Sequence, residues 1–164
     1  MRPLKTRKGG TMGQHTGRLL IAVACAVPAL LFDGGVQADA PAGRYTQSGG
    51  TVSDTKTKLT WQQPPASTAM TWASARTYCA NLGGTLGGSG WRLPTERELL
   101  TLVDYSRGTA PPIDQTYFSG TPAAFFWSVT PLAGSTSSAW AVDFTFGISA
   151  TATQDSALDV RCVK

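Results

Sequence analysis

The sequence predicts one small α+β domain behind a removable leader. Three observations carry this. Two capped helix signals sit in the middle of the chain, alternating apolar residues flank them in a hairpin before and a β-rich third after, and two cysteines fall in separate elements. A length of 164 residues leaves room for one domain and a leader, and not for two full domains. Five tryptophans and 9% aromatic residues argue against disorder.

Residues 1–38 read as a secretory signal peptide. Arg2, Lys5, Arg7, Lys8 and Arg18 form a basic start with no acid among them, and an apolar run over 19–32 follows. That run is shorter than the ~20 residues a membrane span needs. Val36 and Ala38 supply small side chains for cleavage after Ala38, and Met12 offers an alternative start. The competing reading, a retained membrane anchor, is disfavoured by Pro28 inside the run.

Residues 39–49 are small and polar and read as a short lead-in to a domain over 50–164. Val52 to Asp54 and Leu59 to Trp61 read as a hairpin around Thr55, Lys56, Thr57 and Lys58, ended by Pro64 and Pro65. Thr71 caps a helix over 72–82 that Gly83 stops, with Trp72, Ala75, Cys79 and Leu82 on its inward face. The glycine-rich stretch 83–90 reads as a flexible connector. It lacks the Lys-Ser/Thr that a phosphate-binding loop requires.

After Trp91, Arg92, Leu93 and Pro94, a second helix starts on a capping box, with Thr95 as N-cap and Glu98 at N3. Its buried stripe is Leu99, Leu100, Leu102 and Val103. In the last third, Phe125 to Val129 form one strand, Trp140, Val142 and Phe144 alternate with Ala141 and Asp143 in another, and Leu158, Val160 and Cys162 alternate with Asp159 and Arg161 in a terminal strand. The Ser/Thr-rich stretches 130–139 and 146–157 read as loops and as contact surfaces by position.

Removing the leader changes the arithmetic. It carries five of the 14 Lys/Arg and one of the 10 Asp/Glu, which leaves nine of each and cancels the +4. A basic surface for nucleic acid is not indicated. The single histidine, His15, goes with the leader, and with it any imidazole base or His metal ligand. No metal and no cofactor is expected, and no membrane span remains after cleavage. Cys79 and Cys162 are left. An even count in an exported chain reads as one disulfide, with two free buried thiols as the alternative.

Several fragments in fixed order then resemble one family. They are Asp54 with Leu59 and Trp61; Trp72 with Tyr78 and Cys79; Trp91, Arg92, Leu93, Pro94 and Thr95; Glu98 with Leu99; Phe126, Trp127 and Ser128; Trp140, Val142, Asp143 and Phe144; and Val160, Arg161, Cys162 and Val163. Together they resemble the Lcl C-terminal domain, a bacterial exported module catalogued as a domain of unknown function. The resemblance implies a C-type-lectin-like fold: two helices on a small, mostly antiparallel sheet, with a disulfide from an early helix to the last strand, here Cys79 to Cys162. It also implies surface ligands, sulfated glycosaminoglycans among them, and a more distant similarity to formylglycine-generating proteins. Lys58 stands where the family pattern has Gly, so a left-handed conformation is expected there at some strain. No calcium-lectin signature (Glu-Pro-Asn or Trp-Asn-Asp) is present.

An enzyme would need an acid/base set or a nucleophile. Glu96, Glu98, Asp104, Asp114 and Asp143 show no spacing that suggests a catalytic pair, and the cysteines read as structural. The sequence therefore reads as a non-catalytic, exported binding or adhesion module, secreted or in the periplasm or cell envelope, for a glycan or a surface protein. A structural envelope protein and a degenerate relative of formylglycine-generating enzymes are the alternatives. Candidate ligand-binding residues are Trp91, Arg92 and Asp143. Trp91 is the one tryptophan outside an apolar element, and Arg92 reads first as partner of a buried carboxylate, with Asp143 the candidate. Arg76, Arg92, Arg97, Arg107 and Lys164 are the cations available to cluster. The sequence sets no oligomeric state.

Overall fold

The computed structural model describes residues 41–164. The leader expected over 1–38 lies outside the described residues. Among those described, no helix is long and apolar enough to cross a membrane.

The fold is α+β, built from two antiparallel three-stranded sheets and three helices. Strands β1 (Tyr45–Ser48), β2 (Thr51–Asp54) and β3 (Thr60–Gln62) form one meander in the order β1-β2-β3. Strands β4 (Phe125–Pro131), β5 (Ser138–Asp143) and β6 (Ile148–Thr153) form the other, in the order β4-β5-β6. Between them lie α1 (Trp72–Asn81), α2 (Gly83–Leu86) and α3 (Glu96–Leu100). A single small sheet with two helices was expected. The second sheet and the extra helical turn are additions to that picture.

The hairpin and both helix starts form where the sequence places them, but Thr71 does not cap α1 with its side chain: its hydroxyl donates to Ser74 Oγ at 3.0 Å and not to a backbone group. Val52 pairs with Trp61 across β2 and β3, and both are buried. Asp54 holds the connecting turn by accepting from the Lys56 backbone N–H at 2.8 Å. Lys58 closes that turn at φ +65°, left-handed and non-glycine. Because a Cβ is disfavoured there by roughly 1–2 kcal/mol, Lys58→Gly is expected to raise stability by about 0.5–1 kcal/mol net of glycine's unfolded-state entropy. A chemical-denaturation midpoint checks it, and an unchanged or lower midpoint would contradict the strain.

Ala75, Cys79 and Leu82 face inward from α1, and Trp72 is half-buried. On α3 the capping box is complete: Thr95 Oγ1 accepts from the Glu98 N–H at 3.2 Å, and the Glu98 carboxylate accepts from the Thr95 N–H at 2.7 Å. The helix is shorter than its expected stripe: α3 ends at Leu100, and Leu102 and Val103 fall in the turn beyond it, where Leu102 is buried like Leu99 and Val103 packs beside them.

Four further readings change. The lead-in contains strand β1, which pairs along β2 from Tyr45 opposite Asp54 to Ser48 opposite Thr51. Gly83 does not end the helical region: α2 continues from it. A Cβ at Gly83 would stand 2.4 Å from the Gly88 carbonyl oxygen, so the loop folds back against this position.

Residues 146–157, expected as a loop, contain β6, an edge strand of Ile, Ser, Ala and Thr with no charged residue. Ile148, Ala150 and Ala152 alternate with Ser149, Thr151 and Thr153, but two of the three apolar side chains are alanine, too small to mark a strand by hydrophobicity. The terminal strand expected over 158–162 is instead a segment of isolated bridges. Leu158 bridges Met70, Asp159 bridges Phe126, and Val163 bridges both Trp61 and Arg92. The segment changes partners along its length, so no continuous ladder forms. It is also covered on every side: Val160, Arg161, Cys162 and Val163 are all buried. Alternation, which put Arg161 outward, presumes one solvated face.

The core divides across the second sheet. Phe126 and Val142 join Trp61, Leu99, Phe118 and Phe144 in one cluster, whereas Trp127, Ala139 and Ala141 join Ala75, Cys79, Trp91 and Val160 in the other. Both faces of β5 are therefore apolar, which is why Ala141 is buried where a polar flank was expected. The Cys79–Cys162 disulfide ties α1 to the C-terminal segment, with Cα atoms 5.4 Å apart.

Candidate functional site

The C-terminal segment also positions the extended stretch 91–94. The Arg92 N–H donates to the Val163 carbonyl, and the Val163 N–H donates back to that of Arg92, each at 2.9 Å. On the far side the Val129 N–H donates to the Pro94 carbonyl at 2.7 Å. This strip runs beside α1, whose inward face is fixed by the disulfide. Its outward face carries Ala73, Arg76, Thr77 and Ala80, all exposed.

A groove of about 610 Å³ opens between the two, lined among others by Ala73, Arg76, Thr77, Trp91, Arg92 and Val129. Its wall holds two guanidinium groups, an indole and small side chains, and no carboxylate lines it. Arg76 lies 4.8 Å above the Trp72 ring, one helical turn back. Trp72 is itself anchored by Nε1 donating to the Ser128 carbonyl at 2.8 Å. The side chain of Arg76 is thus laid along an aromatic face, at a favourable cation–π distance.

Arg92 is oriented by Glu98. Nη2 and Nη1 donate to the two carboxylate oxygens at 2.6 and 2.8 Å. The Arg92 hydrogen bonds, aided by the Thr95 backbone N–H, hold the Glu98 carboxyl below its ordinary value against the opposing effect of burial. The Glu98 bonds in turn raise Arg92. With the Arg92 side chain 45% exposed, the pair adds little stability. Its consequence is geometric: a planar fork held at the groove while part of it still meets solvent.

The structure brings Trp91 and Arg92 to one groove and does not bring Asp143 with them. Asp143 ends β5, buried, where its carboxylate accepts from the Thr145 N–H at 2.7 Å and its carbonyl accepts from the Gly147 N–H at 2.7 Å. It shapes the β5–β6 turn. The carboxylate partner of Arg92 is Glu98, six residues on, and not Asp143.

Trp91 is also not the exposed exception among the tryptophans: it is 4% exposed, whereas Trp72 and Trp140 are half-buried. Its Nε1 donates to the Gly87 carbonyl at 2.9 Å, and the Lys164 ammonium sits 4.9 Å from its ring. Trp91 therefore shapes the groove and brings a third cation near it. It offers no open stacking face.

Sequence reasoning gave Arg76 no role beyond that of an available cation. Its signal was its place four residues after Trp72 on the helix. Of the acids considered for catalysis, Glu98 is engaged by Arg92, and Glu96 is hydrogen-bonded to the Ser149 hydroxyl. Among the described residues no group of three or more His, Cys, Asp or Glu side chains could hold a metal ion. Compared with known families, residues 50–164 match the Lcl C-terminal domain. No curated protein matches the chain.

Proposed function

The chain belongs to the Lcl C-terminal domain family, and from that premise we propose that it is an exported, non-catalytic binding module for a glycan bearing acidic groups. The observation that carries this reading is the groove beside α1, where Arg76 and Arg92 are both held by neighbours and no acid lines the wall. The planar fork of Arg76 suits a sulfate or carboxylate group bidentately, and Arg92, whose two Nη atoms are on Glu98, adds its remaining N–H groups. The sequence supports the polarity: between Asp54 and Glu96 there is no Asp or Glu, while Lys56, Lys58, Arg76 and Arg92 fall in that interval. A chain whose nine cations and nine acids balance after residue 38 can still present one local cationic face.

Export is supported by the leader-like 1–38 and by the disulfide, which belongs to oxidising compartments. We read the architecture as C-type-lectin-like, on the strength of the bridge between the first helix and the C-terminal segment and of the two antiparallel sheets.

Retention on immobilised heparin, a sulfated polysaccharide, tests the ligand class. The oxidised domain is expected to bind at low ionic strength and to elute as salt rises, since exposed charges are screened beyond about 10 Å at 0.1 M. The double variant Arg76→Ala, Arg92→Ala is expected to elute at markedly lower salt. Flow-through of folded wild-type protein on heparin and on a carboxylated polysaccharide would contradict the proposal, as would a double variant that elutes with the wild type.

A further inference from the structure

A second place on the molecule has the make-up of a ligand site. Tyr105 and Phe146 are the two most exposed of the large apolar side chains, at 72% and 67%. Single exposed aromatics are ordinary on a protein surface. These two, however, line one cleft of about 240 Å³, together with Arg107, Thr109, Pro112 and Thr145 among others. They come from different parts of the chain, Tyr105 from the loop after α3 and Phe146 from the β5–β6 turn.

Both are held in place. The Tyr105 hydroxyl donates to the Gly147 carbonyl at 2.6 Å, which pins the ring although its face is open. Gly147, at φ +73°, lies so close to this loop that a Cβ there would stand 2.5 Å from Val103 and 3.1 Å from Pro112. The turn and the loop are therefore packed backbone to side chain, with both aromatic rings exposed outside. Asp143 fixes the other end of the turn through Thr145 and Gly147. The residue that sequence reasoning singled out thus acts here as a positioning residue for Phe146.

We propose that the Tyr105–Phe146 cleft is a subsite for the apolar face of an uncharged sugar ring. This rests on the reading of the domain as a glycan-binding module, and it assigns to that module a second contact, built on aromatic faces with Arg107 and two threonines beside them. A pyranose has one face of C–H groups, which packs on an aromatic ring, and a rim of hydroxyls that needs nearby polar partners. Exposed aromatic faces with threonines at the edge match that division. The cleft lies below the roughly 300 Å³ at which pockets for drug-sized ligands begin, so it holds one ring. A proline-rich peptide, the other common occupant of aromatic clefts, docks as an extended segment along a groove, for which a cleft of about 240 Å³ is short.

The test is a printed array of neutral and acidic glycans plus a proline-rich peptide, probed with the oxidised wild type and four variants whose folding is verified by circular dichroism. Tyr105→Ala and Phe146→Ala are each expected to weaken neutral-glycan binding at least tenfold. Tyr105→Phe, which keeps the ring and loses its anchor, is expected to weaken it less. The double variant Arg76→Ala, Arg92→Ala is expected to lose acidic glycans while keeping neutral ones. Acidic binding without neutral binding, aromatic variants that bind neutral glycans unchanged, or binding of the peptide in place of sugars would each overturn the aromatic subsite and leave the cationic groove standing. A wild type that binds no glycan would overturn both readings.

Discussion

Replacing both bridged cysteines (Cys79→Ala, Cys162→Ala) is expected to lower the free energy of unfolding by about 4–5 kcal/mol. The two residues lie 83 apart in sequence, and closing so long a loop removes much of the unfolded chain's freedom. The bridge also joins the two elements on which the groove depends. Cys79 sits in the middle of the buried face of α1, and Cys162 sits in the segment that hydrogen-bonds to both Gln62 and, through Val163, Arg92. Guanidinium denaturation of the oxidised and double-alanine forms at equal m-value measures the difference. A loss below about 1 kcal/mol would show that native packing alone holds α1 to the C-terminal segment, since typical disulfides contribute 2–4 kcal/mol. Of the total stability of a domain this size, about 5–15 kcal/mol, the expected loss is a large part.

Arg161→Ala is expected to cost about 3–5 kcal/mol, and Arg161→Met far less. Arg161 is 1% exposed, and among the described residues no acid pairs with it. Burial pushes its guanidinium down to about 9, and Nε finds no hydrogen-bond partner. What it does have is Nη2 donating to the Gln63 carbonyl and to Thr121 Oγ1, both at 2.9 Å, and the rings of Phe118 and Phe126 at 4.9 and 5.8 Å.

Truncation to alanine opens a cavity beside those rings and strands two acceptors, effects that together reach the stated range. Methionine strands the same two acceptors but fills much of the same space without a charge to desolvate, and replacements of buried ions by apolar side chains of similar volume are often neutral or stabilising. Thermal unfolding of both variants separates the two effects. If Met proves as damaging as Ala, the cation itself is needed, and the cavity explanation fails.

What the sequence could not convey follows from where it was asked to look beyond local rules. The capping box of Thr95 and Glu98 was legible because all its partners lie within four residues, and so was the hairpin; the left-handed Lys58 in its turn was implied by the family resemblance. The inward face of α1 followed from helical spacing alone. The burial of Arg161 had no local signal, because it depends on chain from β3, from the 114–124 loop and from β4 closing over one segment.

The pairing of Arg92 with Glu98 is hidden in the sequence because Glu98 also closes the cap, and its two oxygens serve both tasks. The exposed aromatics of the second cleft were passed over for the opposite reason. An isolated Tyr105 and an isolated Phe146 read as ordinary loop residues, and only folding brings them to one cleft. The pairing of Cys79 with Cys162 was the long-range contact that the sequence did convey, because only two cysteines remain after residue 38.

The central proposal, that this domain recognises glycans, is met most directly by binding of the oxidised wild-type domain to a broad glycan array at rising protein concentration. Saturable retention of a limited set of glycans, acidic ones among them, with that acidic binding lost when Arg76 and Arg92 are both alanine, is the expected outcome. A folded domain that retains no glycan at any concentration would contradict it and leave a structural role in the envelope as the better reading.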